Sequence, residues 1–253
     1  MTKYYLSIGV LFKNESLILK EWLDHHIFHG VDHFYLINDN SNDNFLEILN
    51  PYIENDIVEL FNVDYEYFLG RQRCIYNNIL LPRLKESKWL FICDMDEFLW
   101  SQQSVDLKNV LIKCHNLAQI QVNHTIFGSN NLIEQPKYVI PNFTKRSKEQ
   151  PTKTLNNTKY FVNSDYEFTS LNVHHADFLN KNFENILYFR MLDKPYFLLN
   201  HYSCQSFEFW KNIKCTRGDA DNYRTRTPEV IYELDINEVE DKELYEQNIS
   251  LYD

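Results

Sequence analysis

Four short apolar runs, Tyr4 to Phe12, His33 to Ile37, Ile57 to Val63 and Trp89 to Cys93, divide the first hundred residues, and the segments between them carry apolar residues at helical spacing. After the first run, Leu19, Trp22, Leu23 and Ile27 form one helical stripe, with Asn14 or Ser16 placed to cap it and Gly30 to end it. Phe45, Ile48, Leu49, Tyr52 and Ile53 form a second, after the turn NDNSND at 38–43. Arg71 to Leu84 reads as a third helix, whose last turn Pro82 ends or kinks. Strands alternating with helices require a mainly parallel sheet covered on both faces, and the unbroken apolar run LFIC is what burial on both faces demands. Beyond residue 100 the alternation weakens. A helix is expected over 105–118, a strand over 119–127, an irregular strand-rich region over 128–200, and a helix from Ser206 to Lys214. From 229 a charged tail shows no core face. No linker or repeat divides the chain, so a single α/β domain over 1–253 is expected, with halves at 1–100 and 101–228 and the tail at 229–253.

The run WLFICDMDEFLW (89–100) stops abruptly at Asp94, Asp96 and Glu97. Burying an unpaired carboxylate costs several kcal/mol, comparable with the stability of a small domain, so these acids must meet water, a cation or a partner. They lie at the carboxyl end of the fourth strand, the edge at which open α/β sheets bind ligands, and Asp39 ends the second strand on the same edge. Two residues apart in extended chain, Asp94 and Asp96 project to one side and can share a divalent cation. Mg2+ and Mn2+ favour one or two carboxylates completed by water and substrate phosphate, which suits a nucleoside diphosphate. The alternative for an isolated Asp-x-Asp is a solvated loop or a helix cap. None of the five glycines forms a phosphate-cradling G-x-x-x-x-G-K-[ST] or G-x-G-x-x-G loop, so a metal would have to hold the diphosphate.

The formal net charge of -11 argues against a general nucleic-acid or anionic-membrane binder, which needs clustered Lys and Arg. Five widely spaced cysteines without a C-x-x-C suggest neither a disulfide framework nor a zinc site, and hence a reducing compartment. The apolar start is too short to span a membrane and is followed by Lys13, Asn14 and Glu15, so no transmembrane segment or signal peptide is read and a soluble, cytoplasmic protein is expected.

Several motifs together carry a family resemblance. KNE (13–15) follows the first strand, E-W-x-x-x-H occupies the first helix, D-N-x-S-x-D follows the second strand and DMDEF (94–98) the fourth. IFGSNN (126–131), FTKR (143–146), VHHAD (173–177), LLNHY (198–202) and TRGDAD (216–221) follow in order. The set, spanning roughly 5–225, resembles the GT-A glycosyltransferases of family 92 and their family 2-like relatives. It departs from that pattern at His124 and Thr125, where a tryptophan-containing segment is expected.

The resemblance implies a GT-A, Rossmann-like nucleotide-binding fold and metal-dependent transfer of a sugar, with inversion, from a nucleotide-sugar donor such as a UDP- or GDP-sugar. The acceptor would be a glycan or glycoconjugate, and the protein could sit peripherally on a membrane that carries it. The implied cofactor is Mn2+ or Mg2+, with Asp96 as ligand, Asp94 on the metal or ribose, and His201 completing the shell. Asp39 would bond the base or ribose, although Asn-Asp-Asn-Ser is also ordinary turn chemistry. Glu15 and Arg71 are further nucleotide contacts, against a helix-terminus charge and a surface ion pair as alternatives. Lys214 and Arg217 would neutralise the leaving diphosphate. Asp177, Glu134, Glu97 and Asp219 remain open as the general base. His174 and His175, adjacent in a strand, face opposite ways, so at most one reaches the site. Phe127, Tyr202 and Trp210 are candidates for stacking on sugar faces. Two other readings stand beside this one: a magnesium phosphohydrolase built on Asp94 and Asp96, and a non-catalytic carbohydrate-binding protein of the same fold.

Overall fold

The structure is a computed structural model that describes residues 2–150, 154–179, 186–188, 195–221 and 224–253. Its strands are β1 (Tyr4–Phe12), β2 (His33–Asp39), β3 (Val58–Val63), β4 (Ser87–Ile92), β5 (Glu97–Trp100), β6 (Gln119–Ile126), β7 (Lys145–Arg146), β8 (Thr158–Asn163), β9 (Phe168–Leu171), β10 (Ala176–Phe178), β11 (Ile186–Tyr188), β12 (Leu198–His201) and β13 (Val239–Glu240). The helices are α1 (Ser16–Phe28), α2 (Phe45–Glu54), α3 (Arg71–Ile79), α4 (Lys108–Leu111), α5 (Phe207–Phe209), α6 (Ile231–Leu234) and α7 (Glu243–Gln247). Part of the expected strand-rich region, at 151–153, 180–185 and 189–194, lies outside the described residues.

The main sheet runs β3-β2-β1-β4-β8-β6-β12-β5, with β11 also beside β6. Its first four strands are parallel, as the alternation predicts. β8 runs antiparallel to β4 and β6, while β12 is parallel to β6 and antiparallel to β5. Side chains alternate between two buried faces. Leu6, Ile8, Val10, Trp89 and Phe91 pack with Leu19, Trp22 and Leu23 of α1, whereas Leu90, Ile92, Tyr35 and Ile37 pack with Ile75 and Tyr76 of α3. Gly9 leaves room for Leu80, whose Cδ1 would lie 2.7 Å from any Cβ placed there.

Four expectations need correction. The N-terminus of α1 is not capped by Asn14 or Ser16; Asp43 accepts the Ser16 N–H at 2.8 Å from across the β2–α2 turn. In the same turn Ser41 accepts the Asn14 N–H at 2.9 Å and Asn14 Oδ1 accepts from Asn42 at 2.9 Å, so K-N-E and D-N-x-S-x-D brace each other. The helix of 105–118 starts later and is shorter, because Asp106 accepts the Lys108 N–H at 2.9 Å and α4 passes into a 3-10 turn over Ile112–Cys114. The helix of 206–214 has Ser206 as cap, its hydroxyl accepting from Phe209 at 3.1 Å, but widens into a π-helix over Trp210–Lys214. The tail does reach the core. Ile231 and Leu244 are buried, and the Tyr252 hydroxyl donates to Glu21 at 2.8 Å. These few anchors sit among charges at irregular spacing, which hides them from a periodicity test.

The buried side of α1 is unusually polar. Trp22 Nε1 donates to Glu97 O at 2.8 Å, His25 Nε2 meets Leu99 O at 2.9 Å, and His26 Nε2 accepts from Leu99 N at 3.2 Å. Three helix side chains thus occupy the edge of β5 that β12 does not. Glu21 accepts the N–H of Val139 at 2.5 Å and of Ile140 at 3.0 Å. His29 reaches Val105 O at 3.0 Å and Asn248 Oδ1 at 2.8 Å, and the Asn248 amide nitrogen lies 2.7 Å from His25 Nδ1. At the other end of the sheet edge, the Arg71 guanidinium grips both oxygens of Asp39 in a buried ion pair that joins the end of β2 to the start of α3.

Two stability outcomes follow. Burial lowers the His26 pKa to about 3, outweighing the bond to Trp22 O. The unfolded chain therefore binds the extra proton below its ordinary value near 6.5, so this contribution is complete above pH 6.5 and is lost as pH falls toward 3. Urea unfolding should show stability falling from pH 7 to 5, each such buried histidine contributing up to about 1.4 kcal/mol per pH unit, with a shallower fall in His26→Gln. Arg71→Leu, which strands the Asp39 carboxylate, should cost about 3–5 kcal/mol, and Asp39→Leu in the same chain should restore part of it in denaturant titrations.

Candidate active site

Cys93 and Asp94 leave β4, Met95 and Asp96 turn, and Glu97 begins β5. The turn is clamped from below. Glu97 N donates to Asp94 O at 3.2 Å, and the Glu97 carboxylate returns to accept the Asp94 N–H at 2.7 Å. Above it opens a cleft of about 350 Å3 at the carboxyl ends of β1, β2 and β4. The position is the one expected of a parallel sheet, where strand ends and helix starts leave a crevice.

Each acid has a cation. Asp96 Oδ2 accepts from Lys214 Nζ at 2.6 Å, and its Oδ1 faces His201 Nε2 at 3.5 Å. Asp94 Oδ2 accepts from Lys159 Nζ at 2.8 Å, its side chain still 39% exposed. Glu15 pairs with Arg217, which also donates to Lys13 O. Burial alone would raise the Asp96 carboxyl, yet Lys214 and His201 hold it well below the usual carboxylate range. Burial likewise opposes ionisation of Glu97, but Lys159 and then His124 bring it down to about 2. Burial pulls Lys159 down, and Asp94 and Glu97 more than reverse this, so it remains a cation. His201 behaves in the same way: burial lowers it, and Asp96 raises it above its ordinary value.

Of the residues singled out from the sequence, Glu15, Asp39, Asp94, Asp96, His201, Lys214, Arg217 and Asp219 line the cleft. Arg71 does not. It is buried behind Asp39, with its donors on that carboxylate, Tyr65 O at 3.0 Å and Ala220 O at 2.8 Å, so it braces Asp39 instead of facing a phosphate. Of the four carboxylates weighed as base, Asp219 alone lines the cleft among the described residues, and it pairs with Arg226 at 2.6 Å. Glu97 is buried beneath the turn and Glu134 is exposed elsewhere. Asp177, on β10, accepts from Asn172 at 3.1 Å and faces Arg73 at 3.9 Å. His174 lines the cleft, while His175 turns toward Asp177 at 3.8 Å. Trp210 borders the cleft, whereas Phe127 and Tyr202 are core residues packed on each other.

Two residues of the site were given no role from the sequence. Lys159 stands at an inward position of β8, and His124, near the end of β6, lies 2.8 Å from Glu97. A lysine inside the buried strand TKYFVN was the available signal for the first. For the second it was an imidazole near the carboxyl end of a strand expected over 119–127.

The donor set suits a divalent cation. Asp94 and Asp96 offer hard oxygens, and the 3.5 Å approach of Asp96 to His201 is wide for a hydrogen bond but compatible with two groups turned toward a shared ion. Among the described residues no helix is long and apolar enough to cross a membrane.

The sequence model of glycosyltransferase family 92 matches residues 3–242. A glycosyltransferase family 92 protein of Ricinus communis is 25% identical over 213 residues, 81% of this chain, which spans about a third (36%) of that relative's length. Among solved structures, S. aureus TarS in complex with UDP-GlcNAc is 14% identical with a TM-score of 0.49, over 91% of this chain and 64% of that one. HddC from Yersinia pseudotuberculosis is 11% identical with a TM-score of 0.40, over 72% of this chain and 89% of that one. The motifs in sequence, the mainly parallel α/β sheet with acids at its ligand-binding edge, and the match of the family model over nearly the whole chain agree: this chain belongs to glycosyltransferase family 92.

Proposed function

We propose that the chain transfers a sugar from a nucleotide-sugar donor, a UDP- or GDP-sugar, to a hydroxyl of a glycan or glycoconjugate, assisted by a divalent cation. The observation that carries this reading is the convergence of Asp94, Asp96, His201, Lys214 and Arg217 on one cleft, in a member of a glycosyltransferase family. Mn2+ or Mg2+ on Asp94, Asp96 and His201 would supply charge neutralisation for the diphosphate. Lys214 and Arg217, both lining the cleft, are within reach of a phosphate seated over Asp96 and Glu15 and would stabilise negative charge on the leaving group. Asp39, fixed by Arg71, has its geometry set for a ribose or base contact before any ligand arrives.

The acceptor oxygen attacks the anomeric carbon as the bond to the diphosphate oxygen breaks, and the acceptor proton passes to a carboxylate. Asp219 is that carboxylate in our reading, because it opens onto the cleft and the other three candidates do not. One displacement inverts the anomeric centre.

Calorimetry with a panel of nucleoside diphosphates, with and without Mn2+, should show binding that requires the metal and that is lost in Asp96→Asn. Absence of metal-dependent binding to every member of the panel would sink the reading. Asp219→Asn should lower kcat by about 10^2–10^4, the usual range for a lost general base, while leaving donor affinity unchanged. Unaltered turnover would move the base elsewhere.

A further inference from the structure

Glu97, His124 and His201 come from three adjacent strands and share one sheet face. In the antiparallel register His201 stands directly opposite Glu97, and in the parallel one His124 lies opposite Leu199, two residues before His201. Each side chain turns a ligating atom toward the others, and no two of these atoms are more than 4.8 Å apart. Glu97 and His124 are buried, and the His201 side chain is 19% exposed.

The three satisfy one another only in part. Glu97 Oε1 and His124 Nε2 approach to 2.8 Å, an ion pair when the ring is protonated, and among the described residues neither atom has a further hydrogen-bond partner. His201 Nδ1 is likewise buried without a hydrogen-bond partner among the described residues. An unsatisfied buried polar atom costs about 1–3 kcal/mol, and more if charged, so a cluster of them needs a reason.

We propose that Glu97, His124 and His201 form a buried site for one first-row transition-metal ion, with a ligand set distinct from the Asp94 and Asp96 carboxylates. Two imidazoles and one carboxylate favour Zn2+, Co2+ or a similar ion over Mg2+, which prefers oxygen ligands. Ligands at about 2.1 Å from a tetrahedral ion stand about 3.4 Å apart, so Glu97 and His124, now at 2.8 Å, would part slightly while the wider separations, all within 4.8 Å, draw in. His201 links the two sets, its Nε2 toward Asp96 and its Nδ1 unpartnered. An ion there would tie β5, β6 and β12 together directly beneath the Asp-x-Asp turn. The inference needs no donor or acceptor, so it can fail while the transferase reading stands, and the reverse.

The test uses the full chain without a polyhistidine tag, stripped of metal and titrated with Co2+ alone, then with Zn2+ and Mg2+. Calorimetry and the visible absorption of bound Co2+ should report one equivalent of tightly held transition metal and no tight Mg2+. Binding should persist in Asp96→Asn and weaken in His124→Gln by more than the roughly 100-fold that loss of a supporting hydrogen bond costs. No uptake by the unmodified chain overturns the proposal, as does loss in Asp96→Asn, with or without loss in His124→Gln. If circular dichroism shows that His124→Gln is unfolded, the imidazole 15N resonances of His124 and His201 in the unmodified chain decide the matter. Both shifting with Zn2+, with His124 unmoved by Mg2+, supports the site; either staying still with Zn2+ overturns it.

Discussion

β5 is the last strand of the sheet in spatial order, and an edge strand would ordinarily present unpaired backbone groups. Here one edge pairs with β12, and the other is met by Trp22, His25 and His26 of α1, which address Glu97 O and the Leu99 N–H and carbonyl. A helix has replaced a neighbouring strand. Because Glu97 begins β5 and its carboxylate holds the Asp94 amide, the geometry of the acidic turn depends on these three side chains. Much of the architecture serves that contact: β1 delivers α1, Asp43 fixes its first turn, and Glu21 secures the 139–140 loop to its buried face.

The cleft is assembled by pairing acids of the N-terminal half with bases of the C-terminal half. Lys214, Arg217 and the Ala220 carbonyl bind Asp96, Glu15 and Arg71, and Asp221 accepts the N–H groups of Gly70 at 3.1 Å and Gln72 at 2.7 Å. These pairs offset the large desolvation cost of the carboxylates without removing their charge. The segment over 214–221 is therefore a structural closure of the cleft as well as a source of cations.

The parallel half of the fold was legible because its strands are long, apolar and separated by helical stripes, and the edge bearing Asp39, Asp94 and Asp96 followed from strand direction alone. What was not legible depended on contacts between distant segments. The cap of α1 comes from a residue 27 positions away. Arg71 reads as a nucleotide contact or a surface ion pair until α3 is placed against β2 and it closes on Asp39. His124 and Lys159 are inward-facing polar residues in strands of mixed composition, and only the strand order β4-β8-β6 brings them to Asp94 and Glu97. The E-W-x-x-x-H motif was visible as a family signature, yet its physical content, a set of donors and acceptors for remote backbone, required the fold.

The link between α1 and the last turns of the chain carries a further consequence in its count of protons. The carbonyls of Leu99 and Val105 claim one N–H each from His25 and His29, leaving one nitrogen of each ring against the Asn248 amide. That amide, whichever way round, offers one donor and one acceptor. Two neutral rings can meet only three of the four contacts, and a fourth requires an extra proton. Burial pushes both rings below their ordinary range, which favours the neutral forms and leaves one polar mismatch at the junction. The two ends of the chain are thus joined by an odd number of protons, which makes the junction intolerant of any added buried acceptor.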